Sequence, residues 1–179
     1  MADPRFESPV STPGPTAGPL TLVDESATSK LVVRAFPEGP ALHGVPFASS
    51  AMVGPALVVG IRPHEWWVLG DADDVMPDPS ATVVDLTHGR ARFRLTGEHA
   101  SGVLEMVCSL DWSDPMTPDG SALSASVAKV SCDIVRHDQG SVPSYLILAD
   151  RSLGQYLFDA LLDATHTRLT EITAIAEIS

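Results

Sequence analysis

The chain has 179 residues, 44% of them hydrophobic and 19% charged, a balance that fits a folded domain with a core of its own rather than a disordered chain. Its formal net charge of -12, from 11 basic and 23 acidic residues, argues against general nucleic-acid binding, which needs a basic surface to neutralise phosphates. Apolar runs such as ALVVGI at 56–61 fall far short of the ~20 residues that span a bilayer, and MADPRFESPV has no apolar h-region, so the expectation is a soluble, cytoplasmic protein that binds neither nucleic acid nor membrane.

Residues 1–20 hold five of the fifteen prolines and show no periodicity, which predicts a flexible, extended arm ahead of a single domain over 21–179. TSKLVVRAF (28–36) alternates and is rich in β-branched residues, so it reads as the first strand. PALVVGIRPHEWWVLG (55–70) reads as two strands broken at Pro63, followed by the acidic loop DADDVMPDPS. ATVVDLT (81–87) and RARFRLT (90–96) are two more, separated by a turn at His88 and Gly89. After Thr96, a candidate N-cap, the period changes. Ala100, Val103, Leu104 and Val107 fall on one helical stripe. Residues 122–137 and 141–150 predict a hairpin around DQG. Ser152 and Gln155 then fit a capping box for a helix striped by Leu153, Tyr156, Leu157, Ala160, Leu161 and Ala164. RLTEITAIAEIS at the end reads as a last strand or a loose tail. The order strands, helix, strands, helix gives an α+β fold, a mostly antiparallel sheet with two main helices on one face.

Alternation in RARFRLT sends Ala91, Phe93 and Leu95 to a core and Arg90, Arg92 and Arg94 to the other side. That row is either a solvated face paired with acidic neighbours or a contact surface for an anion or a partner. Trp66 and Trp67 point to opposite sides of their strand, one into the core and Trp67 a candidate partner anchor. Asp133 and His137, four apart on a predicted strand, share a face and are a candidate acid–base pair. Cys108 and Cys132 have no zinc-ligand spacing and are expected to be buried, reduced thiols. The six histidines are scattered, and the sequence has no GxSxG, GxxxxGK[ST] or GxGxxG signature. No catalytic, cofactor or metal residue is assigned on these grounds.

The succession GIRPHEWWVLG, VVDLTHGRARFRLTGEHASGVLEMVCSLD and RSLGQYLFDALLDA resembles the gamma subunit of heterotetrameric sarcosine oxidase, over about residues 28–164. The shared features are a Pro-x-Glu-Trp strand, a Val-Asp-x-[ST]-x-x-Arg strand pair, a Gly-x-x-Ala helix start and an Arg-Ser-x-x-x-Tyr-Leu helix. The resemblance implies a non-catalytic subunit, with a reduced folate-binding aminomethyltransferase-like fold, of a complex with alpha, beta and delta partners. Such complexes demethylate sarcosine oxidatively, pass the one-carbon unit to tetrahydrofolate or release formaldehyde, and produce hydrogen peroxide. FAD, FMN, NAD, tetrahydrofolate and zinc are then held by partner subunits. The folate-binding relatives carry a catalytic aspartate in an Asp-Asp pair. The nearest position here is Asp133 in SCDIV, with Cys132 in place of the first aspartate. Departures in the arm and in VAKVSCD leave open a related complex for dimethylglycine or N-methylglutamate, and a freestanding folate- or small-anion-binding module is the alternative. In the subunit reading, Arg90, Arg92 and Arg94 are expected to pair with a partner's carboxylates, with Trp67 a further partner contact.

Overall fold

The computed structural model describes residues 6–35, 41–75 and 81–176. Among these residues, ten strands form two five-stranded antiparallel sheets, and two α-helices cover the outer face of one of them. The first sheet runs in the order β1-β7-β10-β9-β8 and the second in the order β3-β4-β5-β2-β6. The strands of the first are β1 (Thr21–Asp24), β7 (Arg90–Thr96), β8 (Ala122–Val127), β9 (Val130–Arg136) and β10 (Ser144–Asp150). Those of the second are β2 (Lys30–Arg34), β3 (Ser50–Val53), β4 (Ala56–Arg62), β5 (Glu65–Gly70) and β6 (Thr82–Asp85). The whole second sheet is thus an insertion between β1 and β7, neighbours in the first sheet that pair Thr21 with Thr96.

Period-2 alternation sorts the side chains into three apolar layers. Ala91, Phe93 and Leu95 of β7 pack with Tyr145, Ile147 and Ala149 of β10 beneath the helices α1 (Ala100–Val107) and α2 (Gly154–Ala176). Leu157, Phe158 and Leu161 of α2 are fully buried there, each contributing roughly 1.5–3 kcal/mol by burial. Phe158 meets Phe93 edge to face with ring centroids 5.1 Å apart. Between the sheets, Val135, Leu146 and Leu148 meet Val32, Leu57, Val59, Trp67 and Leu69. The outer face of the second sheet buries Val33, Val58, Trp66 and Val68 against Val45 and Val75 of the connecting loops. One side of this sandwich is stitched shut, because Ser50 N donates to Gly120 O at 2.7 Å and Ala122 N to Ala48 O at 3.0 Å.

The α+β class, the antiparallel pairing and the helices on one face agree with the sequence reading, but several elements differ. There are two sheets, and the strands read at 81–87 and 90–96 belong to different ones. The segment 122–137 is itself a hairpin. Its turn residues Ala128 and Lys129 both take positive φ, 46° and 69°, where neither residue type signals a turn. Thr96 does not cap α1. It ends β7 and its Oγ1 lies 2.8 Å from Ser144 Oγ, while His99 precedes the helix without a side-chain cap bond. Asp150, rather than the Ser152/Gln155 box, starts the last helical segment by accepting from Ser152 N at 2.9 Å. Its stripe is shifted too, with Leu153 and Tyr156 exposed and Phe158 buried. The expected C-terminal strand or tail is helix through Ala176, with Leu169 and Ile172 packed against the core.

From Phe6 to Leu20 the proline-rich segment has no helix or strand, and it is fastened to the domain. Its first five residues lie outside the described ones, as do parts of the loops expected at 37–46 and 71–80. Val10 packs against the helix-side core, Ser11 N donates to Gln155 Oε1 at 2.8 Å, and Leu22 N to Pro15 O at 2.8 Å. Leu20 is fully buried. Gly97, at φ 147°, lets Pro19 pass so closely that a Cβ there would lie 2.1 Å from its carbonyl oxygen.

Candidate functional site

The polar groups worth weighing lie between the sheets, on either side of β10. Leu148 of β10 stands in register with Arg92 of β7 on one flank and Asp133 of β9 on the other. On the β9 flank the buried Asp133 carboxylate accepts from Trp67 Nε1 at 2.9 Å, Ser124 Oγ at 2.7 Å and Arg62 Nη2 at 3.2 Å. Trp67 and Arg62 come from the second sheet, so this carboxylate ties the two layers together. Asp133 makes no bond to His137, and the pair weighed from sequence does not form. Its position in the sheet interior, with three intrachain donors on it, makes Asp133 a structural carboxylate in this chain rather than one presented to a ligand.

On the β7 flank, Arg92, Arg94 and His137 converge. The arginine row does occupy the face opposite Ala91, Phe93 and Leu95, but that face is covered by the second sheet. Arg92 Nη2 donates to Glu25 Oε2 at 2.7 Å, and Arg94 Nε to Glu25 Oε1 at 2.6 Å. Arg94 Nη1 also donates to Ser144 Oγ at 3.1 Å. Lys30, fully buried nearby, donates to the carbonyls of Ser26 (2.6 Å) and Thr28 (2.8 Å). Its pKa falls to about 8, because burial disfavours the ammonium and Arg92 repels it. Burial, seconded by Arg94, also lowers the pKa of His137. One glutamate therefore serves two guanidinium groups with an ammonium close by, a local excess of positive charge inside an acidic protein.

Burial also answers the docking expectation. Arg92 and Trp67 are 7% and 2% exposed, Arg94 is nearly as enclosed, and Arg90 lies half-buried with its guanidinium 5.9 Å from the Trp67 ring centroid. Trp67, Arg92 and Arg94 are held inside the sandwich and Arg90 stands at its margin, so the four do not form an outer docking face. Trp66, like Trp67, is core, with Nε1 donating to Val45 O at 2.8 Å. Sequence reasoning missed Glu25, Lys30 and Ser144, the partners and neighbours of the arginines. Glu25 follows the unread strand β1, where TLVDE after a proline-rich run was the available signal. Cys108 and Cys132 are buried and free, and burial pushes the Cys132 thiol up to about 12. Among the described residues no group of three or more His, Cys, Asp or Glu is placed to hold a metal ion, and no helix is long and apolar enough to cross a membrane.

No family model matches the sequence, and no curated protein matches it. Solved structures do. A chain of the heterotetrameric sarcosine oxidase from Corynebacterium sp. U-96, solved in complex with pyrrole 2-carboxylate, superposes with a TM-score of 0.70 at 22% identity. The match covers 84% of this chain and 87% of that one. The two share a fold. That fold is the one the sequence motifs pointed to. The glycine cleavage system aminomethyltransferase T from Bartonella henselae is similar over 79% of this chain, with a TM-score of 0.57 and 14% identity. This chain spans 45% of the aminomethyltransferase, so it corresponds to one portion of that larger fold.

Proposed function

We propose that this chain is a non-catalytic subunit of a sarcosine oxidase-like flavoenzyme, the counterpart of its gamma subunit. The observation that carries the reading is the fold match over nearly equal shares of two chains, 84% and 87%, one of which belongs to a heterotetrameric sarcosine oxidase. The collinear motifs in the sequence support it independently. In this reading the complex oxidises the N-methyl group of sarcosine or a related amine, reduces oxygen to hydrogen peroxide and hands the one-carbon unit to tetrahydrofolate. FAD, FMN, NAD, the folate and zinc belong to alpha, beta and delta partners, and this chain supplies a surface. That surface is not the arginine row. Residues such as Phe47, Met116 and Tyr156, which leave 58%, 67% and 54% of their area exposed, are the better docking candidates.

Recovery of the tagged chain from its own cells tests the proposal. The expected result is a yellow complex of several subunits with sarcosine-dependent peroxide production, and a colourless chain once the partners are stripped away. Recovery of the chain alone, or flavin bound stoichiometrically to the stripped chain, overturns it. A second reading, a small-anion-binding module, is favoured by one specific observation, the unspent guanidinium donors beside Glu25.

A further inference from the structure

At one end of the sandwich the sheets part to leave a cleft of about 240 Å³. Its polar side is Arg92, Arg94 and His137 of the first sheet. Its apolar side is Leu57 and Leu69 of the second sheet with Met52 at the exposed edge, and Leu146 of β10 also lines it. Donors at this cleft outnumber acceptors. Among the described residues Nε and Nη1 of Arg92, a residue 93% buried, meet no partner, nor does the buried Nδ1 of half-buried His137. Among the described residues Arg94 finds partners through Nε and Nη1 and none through Nη2. Three unmet groups on two residues lining one cleft are a concentrated exception to the rule that buried polar atoms find partners. Among the described residues Glu25 is the one carboxylate bonded to either arginine, so two guanidinium groups share a single counter-charge. One carboxylate offsets only one of the two buried guanidinium charges, an imbalance that is costly and that a bound anion relieves.

The shape of the cleft narrows the class of anion. Because Glu25 holds Nη2 of Arg92 and Nε of Arg94, a carboxylate would take single donors from the two arginines, one to each of its oxygens. Facing them, Leu57, Leu69 and Met52 offer nothing to a second charged or strongly hydrated group, and they suit a small apolar body. The volume lies just below the roughly 300–1,000 Å³ typical of drug-sized ligand sites. We propose that the cleft between Arg92, Arg94 and His137 and the Leu57–Leu69 wall binds a small organic monocarboxylate, its carboxylate on the arginines and its apolar portion on the second sheet. The inference gives the anion-module reading a ligand class and does not depend on the subunit reading. Titration of the purified chain tests one, and recovery of a complex from cells tests the other.

Benzoate is the probe, with benzyl alcohol as its neutral counterpart and inorganic phosphate as an anion without an apolar body. Calorimetric titration of the full chain is expected to give one benzoate site with a Kd of about 1 mM or tighter. Benzyl alcohol and phosphate are each expected to bind at least about tenfold more weakly, a difference of 1.4 kcal/mol. The ring resonances of His137 should shift on benzoate addition. Arg94→Gln is expected to weaken benzoate at least about tenfold. Because that change also loosens Glu25, Met52→Asp serves as a second variant. Met52 is 53% exposed, so the fold survives the substitution, and the added carboxylate at the cleft edge should weaken benzoate about fivefold or more. Absence of benzoate binding overturns the proposal. So does benzyl alcohol binding as well as benzoate, phosphate binding better than benzoate, or benzoate binding that neither variant changes.

Discussion

Removing the Asp133 carboxylate strands Trp67 Nε1 in the inter-sheet layer and releases Ser124 and Arg62 from their shared acceptor. An unsatisfied buried donor costs about 1–3 kcal/mol, so Asp133→Ala should lower stability in urea titrations by at least that much. Asp133→Asn should cost less, because an amide oxygen can still accept from Trp67. Lys30 acts in the opposite sense, being a cation that the fold tolerates poorly. Its pKa is about 8 in the folded chain against 10.5 as the ordinary value. Between those values the unfolded chain binds more protons, so stability rises with pH there, and below pH 8 the handicap is constant. Melting temperatures followed upward from pH 8 should therefore climb relative to a Lys30→Met variant, which lacks the titration. Tyr145, whose pKa is raised chiefly by burial, begins to oppose this trend only once the unfolded tyrosine ionises near pH 10.

At the scale of elements, the proline-rich segment behaves as a strap. It carries Val10 and Leu20 to the core and bonds the start of α2 through Ser11 and Gln155. Phe6 lies 5.1 Å from the Arg151 guanidinium, and Pro9 sits so near Gly154 that a Cβ there would come within 2.8 Å of it. Deleting residues 1–20 should therefore lower the melting temperature by several degrees, which a thermal scan of the truncated chain will show. Composition could not reveal this, since prolines report backbone stiffness and are silent on what the stiff segment lies against. β7 was legible from its alternation, β4, β5 and β10 as short apolar runs bounded by turn residues and buried on both faces, and the helices from their apolar stripes. What escaped depends on contacts between distant segments. The Ala128–Lys129 turn holds a backbone shape its residue types do not favour, and the partition of β6 and β7 between two sheets leaves no trace in either strand. The site shows the same limit. The facing of the arginines followed from alternation, whereas the second sheet that covers them, with Glu25 and Ser144 beside them, follows only from tertiary packing.

For the molecule as a whole, the insertion of the second sheet between β1 and β7 bears on the order of folding. Residues 30–85 hold every strand of that sheet, and β3, β4 and β5 are joined by short connections, so these pairings are local and quick to form. The first sheet has local pairs only among β8, β9 and β10. Its β1 must wait for β7, whose first residue-to-residue partner lies 75 positions further on, and β7 in turn is flanked on its other side by β10, which ends at Asp150. During synthesis the inserted sheet can therefore assemble while its future cover is still being made. Until that cover arrives, the face bearing Leu57, Val59, Trp67 and Leu69 is open to solvent, an apolar surface on a nascent chain. That interval is when the exposed face is open to aggregation or chaperone capture, and an acidic net charge works against association between copies.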